Sequence, residues 1–176
     1  NMEVVYGDIG SCYQHREGIF IEINKIRYTL DHAIVFNSIY KKNENTGISL
    51  LQHFKGWVIE TEMDVFDPGK ASLMDFRVHQ QHGTTFAYVL PFSPRSALVE
   101  YTLFTPNLLE PEQYDLELRN YISQFLQLTN YTILEQEFGV IPMTNEKFTI
   151  YHDGVFNIGT AGGQTKASSG YTFQFI

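Results

Sequence analysis

The sequence holds one cysteine in 176 residues. Cys12 therefore cannot form an internal disulfide or a multi-cysteine zinc site, and it reads as a small buried hydrophobe. Basic residues are also scarce. Twelve lysines and arginines face twenty acidic residues, a formal net charge of −8, so there is no nucleic-acid footprint. No apolar run approaches the roughly 18 residues of a membrane-spanning helix. No internal repeat and no low-complexity tract breaks the chain. Charged residues total only 18%, against about 25% in an average domain.

What is present in surplus is apolar. Hydrophobic residues make up 43% and aromatics 15%. That excludes a disordered chain. The length fits one domain, residues 1–176, with enough surface to bury for a core. The start, Asn1-Met2-Glu3-Val4-Val5, lacks a basic region followed by an apolar core, so no targeting peptide is expected. The other end stops where a helix begins. Both ends suggest a piece of a longer protein.

Apolar alternation predicts strands over 3–14, 18–23, 26–30 and 33–36, the second and third joined at Asn24-Lys25. Residues 41–47 read as an exposed loop. A bent strand follows over 51–63 with Gly56 inside it, then a turn at Asp67-Pro68-Gly69. Strands are expected over 72–79, 85–90 and 97–104. A helix starts near Pro111, because proline suits the first turn and Glu110, Glu112 and Asp115 favour its positive end. Tyr114, Leu118, Tyr121, Ile122 and Phe125 recur at helical spacing and predict its core face. A strand over 131–138, a corner at 139–142, and a strand over 155–158 complete the pattern. The class is α+β, a mainly antiparallel sheet covered by one long helix.

His79 and His82 lie three apart near Asp75. Without a third convergent ligand they read as solvated turn residues, and no metal is expected. No nucleophile elbow occurs. The run from Ile158 to Tyr171 contains Gly159, Gly162, Gly163 and Gly170 among small residues. It is not a P-loop, since Gly-Lys-Ser/Thr is missing. Such a run lets backbone N–H groups approach a ligand or serves as a plain structural turn. Glu100 stands alone in the apolar strand Ala97–Phe104, on one face with Leu98 and Thr102. It is either a sheet-rim residue or a buried acid held protonated near neutrality, able to donate a proton where water is excluded.

Seven segments occur in an order that resembles the lycopene cyclases, the flavin-dependent carotenoid cyclases. They are Gln52–Trp57, Val65–Pro68, Leu73–Arg77, Phe86–Ser93, Ala97–Thr102, Gly139–Met143 and Ile158–Tyr171. The resemblance covers most of the chain from about residue 20. It implies the middle portion of a protein about twice as long, with the N-terminal dinucleotide-binding unit and the C-terminal tail absent. The fold implied resembles the substrate domain of glutathione-reductase-like flavoproteins.

The activity implied is an acid-catalysed, non-redox cyclisation of the linear ends of lycopene to ionone rings in carotenoid biosynthesis. The resemblance makes Glu100 the catalytic acid. The family's second acid aligns with Tyr101, so a scheme with paired carboxylates at these positions does not carry over. It makes Gly159, Thr160, Ala161, Gly162, Gly163, Lys166, Ser169, Gly170 and Tyr171 the cofactor-binding residues. The cofactor implied is reduced FAD, stabilising cationic intermediates in the parent and not retained by this isolated, inactive fragment. Aromatic faces stabilise cations, and Phe86, Tyr88, Phe92, Tyr101 and Phe104 are the expected substrate contacts. The implied location is cytoplasmic with peripheral membrane contact. Two alternatives stand beside this reading: the substrate domain of an FAD-dependent monooxygenase, and a non-enzymatic module that binds an apolar ligand. The first usually carries Gly-Asp where Gly159-Thr160 stands and lacks the Glu100 motif.

Overall fold

The computed structural model describes residues 3–41, 49–166 and 168. Where one domain was expected, the chain divides into two compact units. One comprises Asn1–Gly47 with Asn145–Ile176, the other Ile48–Thr144.

The second unit is built on a five-stranded antiparallel sheet. Its strands are β5 (Ser49–Glu60), β6 (Ser72–Asp75), β7 (Thr84–Ser93), β8 (Ser96–Thr105) and β9 (Thr132–Thr144), in the order β6-β7-β8-β5-β9. Helix α1 (Pro111–Gln124) begins where the proline predicts, and the Gln113 side chain accepts the Glu110 backbone N–H at 2.9 Å. Tyr114, Leu118, Tyr121 and Ile122 are its buried face. They close a core with Trp57, Ile59, Ala87, Val89, Val99, Tyr101 and Leu103, the residues of alternate strand positions that point toward the helix. Leu118 is fully buried in this cluster. Leu118→Ala is expected to cost about 2–5 kcal/mol, measured as a shift in the urea midpoint followed by circular dichroism.

Polar contacts hold the helix at three levels. The Lys55 ammonium pairs with Asp115. Tyr121 Oη donates to Asp75 Oδ2 at 2.8 Å, and Arg77 Nε donates to Asp75 Oδ1 at 2.8 Å. The Arg77 guanidinium holds the Asp75 carboxyl down at about 2, helped by Tyr121 and against the opposing effect of burial. At the other end, His53 bonds Tyr114 and Thr105.

Several boundaries differ from expectation, among them that β5 stops at Glu60 instead of residue 63 and β7 runs on to Ser93 instead of ending at residue 90. The strand expected over 72–79 ends at Asp75, after Met74 takes a positive φ of 52°. The corner expected at Gly139–Pro142 is the middle of β9, which runs on to Thr144. Gly139 accommodates the Phe54 ring, which lies 2.2 Å from where a Cβ would stand. Pro142 is tolerated because β9 is the sheet edge and one side of it needs no ladder donor.

The first unit holds two small sheets. One is β1 (Ile9–His15), β2 (Gly18–Ile23) and β3 (Ile26–Leu30). Asn24 and Lys25 both take positive φ, 53° and 68°, the two-residue turn that suits strand twist. The other sheet joins β4 (Val35–Asn37), β10 (Tyr151–His152) and β11 (Val155–Asn157), with β4 and β11 parallel. β10 carries no alternating signal long enough to be read. β1 starts six residues later than expected, and Cys12 within it is only partly buried. The expected loop at 41–47 falls outside the described residues except at Lys41, and the terminal helix falls outside them except at Ser168.

Candidate functional site

Glu100 sits at the middle of β8, the central strand. Alternation turns it away from α1, and its in-register neighbours are Tyr88 on β7 and Gly56 on β5. Thr102 Oγ1 donates to Glu100 Oε1 at 2.6 Å. The surroundings are apolar, with Leu98 on the same strand face and Phe54 and Val58 beside Gly56. Burial pushes the carboxyl up to about 7, opposed by the Thr102 hydrogen bond and reinforced by the charge and hydrogen bond of Glu137. Glu100 is half-buried at the centre of the sheet rather than at its rim.

Glu137 was not visible as a site residue in the sequence. It stands on β9, two strands from Glu100, and both are in register with Gly56. Adjacent strands lie about 4.8 Å apart, so carboxyls two strands apart normally have a side chain between them. Here there is none. A Cβ at Gly56 would stand 2.7 Å from Glu137 Oε1 and 2.9 Å from Leu98 Cδ1. The glycine is the gap through which the two carboxyls meet. The one sequence signal was the alternation that puts Glu137 on the same face of its strand as Gly139. The β5–β9 register that gives it meaning is tertiary.

Three of the expected aromatics gather on the Glu100 face. Phe86 packs edge-to-face on Tyr88, with centroids 5.3 Å apart, and on Phe104 at 5.5 Å. Phe76, not anticipated, adds a further edge contact to Phe86 at 5.5 Å. Two expectations are corrected. Tyr101 points the other way: it is 0% exposed beneath α1, because adjacent residues of a strand face opposite sides. Burial, reinforced by the Glu117 charge, pushes its phenol up to about 12. Phe92 is 62% exposed at the far end of β7, where the β7–β8 register shifts. It is four residues past Tyr88, about 13 Å along a strand, and joins no cluster with it.

The glycine-rich segment belongs to the first unit. Gly159–Gly162 forms a single 3₁₀ turn after β11. Gln164 closes it, accepting the Gly159 N–H on Oε1 at 2.7 Å and donating its own N–H to the Gly159 carbonyl at 2.9 Å. Asn157 anchors it from below, with Nδ2 donating to the Thr149 carbonyl and Oδ1 accepting from Asn37. Gly162 is obligatory, since a Cβ there would stand 2.2 Å from the Asn157 carbonyl oxygen. At Gly159 nothing lies within 4 Å of where a Cβ would be, and φ is 59°. The space beside the Gly159 α-carbon lets another group approach the backbone closely, while the Gly159 N–H and carbonyl are taken by Gln164 and the Thr160 carbonyl by the Gly163 N–H. Lys166 follows, exposed. Ser169, Gly170 and Tyr171 lie outside the described residues.

Among the described residues no group of three or more His, Cys, Asp or Glu side chains could hold a metal ion. His79 Nδ1 instead faces Glu117 Oε2 at 3.9 Å, and His82 Nε2 lies 3.0 Å from Gln81 Nε2.

The fold recurs in solved structures. A geranylgeranyl bacteriochlorophyll reductase-like protein from Thermoplasma acidophilum superposes with a TM-score of 0.61 at 12% identity, over 91% of this chain and 42% of that one. The flavin-dependent brominase Bmp2 superposes with a TM-score of 0.51 at 9% identity, over 89% of this chain and 43% of that one. This chain therefore spans less than half the length of either. The chain itself belongs to the lycopene cyclase family, whose description as lycopene cyclase protein matches residues 38–175. No curated protein matches the sequence.

Proposed function

We propose that the protein containing this chain cyclises the linear ends of lycopene, with Glu100 as the proton donor. The observation that carries this reading is a half-buried carboxyl at the centre of the sheet, pushed up by burial to about 7, on the face that also bears Phe86, Tyr88 and Phe104. A carotene has no charge and no hydrogen-bonding group, so shape and apolar contact must recognise it. The acid must be strong enough to act and dry enough to keep its proton until an alkene arrives.

The Glu100 O–H proton passes to the terminal double bond, leaving a tertiary cation. The neighbouring double bond attacks that cation and closes the ring. A proton then leaves an adjacent carbon, and the carboxylate face takes one up, so no electron is gained or lost overall. Tyr88 and Phe104 lie half-buried on this side of the sheet, backed by the buried Phe86, and electron-rich aromatic faces suit a transient cation. Gly159–Gly163, with Lys166, Ser169, Gly170 and Tyr171, would hold FAD. When bound in its reduced form, FAD supplies electrostatic stabilisation of positive charge.

Among the described residues no helix is long and apolar enough to cross a membrane. In this proposal the protein is cytoplasmic and takes its lipophilic substrate through peripheral membrane contact.

The test is expression of the full-length parent in bacteria that accumulate lycopene, with pigments separated by chromatography. Ring-ended carotenes are expected. Unconverted lycopene, with the protein folded and flavin bound, would refute the assignment.

A further inference from the structure

The carboxyl pair has a consequence beyond proton donation, and it rests on reading Glu100 as the donor. Glu137 reaches Glu100 only through the gap at Gly56. The two differ in access: Glu100 is half-buried at the sheet centre, whereas Glu137 is exposed on the edge strand. Burial pushes the Glu100 carboxyl up, and the charge and hydrogen bond of the neighbouring Glu137 push it further in the same direction.

We propose that Glu137 is a positioning residue for Glu100, keeping the shared proton on the buried carboxyl and resupplying it from the solvent side. After the donor gives up its proton, the pair carries two negative charges side by side. That state favours recapture of a proton, either from the ring carbon or from water at Glu137. The pair returns to one proton, and each turnover is neutral.

The other groups facing Glu100 within its own unit are few. β8 contributes Thr102, and β7 contributes the Tyr88 phenol. β5 contributes Gly56 between Phe54 and Val58, none of them titratable. β9 contributes Glu137 and, opposite Val58, Glu135. Glu135 stands two residues along, roughly 7 Å away along the strand. It shares the face but not the gap, which makes it the control.

The decisive measurement is the titration of the Glu100 carboxyl in this chain, followed by NMR with carboxyl-labelled glutamate. In Glu137→Gln the midpoint should fall by about one pH unit, because the neighbouring charge is gone. Gly56→Ala should lower it as well, by driving the carboxyls apart. Glu135→Gln should move it by less than a third as much. An unchanged midpoint in Glu137→Gln overturns the proposal, as does an equal shift in Glu135→Gln, which would mean a general field rather than a pair.

In the full-length parent, the alkaline limb of cyclisation should move down by about one pH unit in Glu137→Gln. A loss of equal size at every pH would mean a structural role and would overturn it. If the parent converts no lycopene at all, the function falls, but the NMR titration still decides the pair.

Discussion

Glu100→Gln in the full-length protein should reduce ring formation by about a hundredfold or more. Glutamine is nearly isosteric, and its amide oxygen still accepts the Thr102 hydroxyl that Glu100 Oε1 accepts at 2.6 Å. The fold is therefore retained, and what is lost is a proton that can be given away. Chromatography of pigments from lycopene-accumulating cells reads the result directly. Conversion at the wild-type level would remove Glu100 from the mechanism.

The same substitution should raise stability, and the pH at which it does so is specific. The folded carboxyl titrates near 7 instead of 4.5. Between those values the folded chain holds a proton that the unfolded chain has released. Stability therefore falls as pH rises through this window, and the deficit is complete above about 7. Glu100→Gln removes it. The expected gain, after allowance for the solvent that reaches the carboxyl, is about 1–2 kcal/mol at pH 8 and nothing below pH 4.5. Urea denaturation at the two pH values measures it.

Tyr114→Phe should cost the second unit about 1–3 kcal/mol, from the buried His53 ring nitrogen and the part-buried Leu109 N–H losing their partner. The Tyr114 hydroxyl donates to His53 Nδ1 at 2.5 Å and accepts the Leu109 N–H at 3.2 Å. The chain of bonds also sets the tautomer. Thr105 Oγ1 donates to the Asn107 carbonyl, so it must accept from His53 Nε2, 2.6 Å away. His53 is then neutral, with its proton on Nε2 and a lone pair on Nδ1. A second proton would orphan the tyrosine hydroxyl. Burial lowers the His53 pKa below 6.5, against the opposing effect of the Asn107 backbone. Below pH 6.5 the unfolded chain takes up a proton that the folded chain refuses. Stability drops as pH falls from 6.5 toward the folded value. A denaturation series from pH 7 to pH 5 should show this drop in wild type and lose it in His53→Phe. A flat wild-type series would contradict the buried neutral assignment.

Much of the fold was legible because it is written in local periodicity. The helix from Pro111, its core stripe at Tyr114, Leu118, Tyr121 and Ile122, and the strands around 85–90 and 97–104 all appear where apolar spacing puts them. So does the turn at Asn24-Lys25. Misreadings arose where a local signal met a tertiary use. Gly139 and Pro142 spell a corner in sequence, but the Phe54 ring and a free sheet edge turn them into strand. Tyr101 was grouped with Glu100 by proximity along the chain, although neighbours on a strand point to opposite faces.

By itself, the sequence determined the α+β class, the long helix, the likeness to the lycopene cyclases and the singular position of Glu100. These depend on composition, spacing and motif order, which short-range physics makes readable. Only the tertiary structure decided that Phe86, Tyr88 and Phe104 share the Glu100 face and that Tyr101 does not. It alone brought Glu137, 37 positions further along the chain, across Gly56 to Glu100. Strand register is set by which hydrophobic faces find each other, and no local pattern encodes the partner.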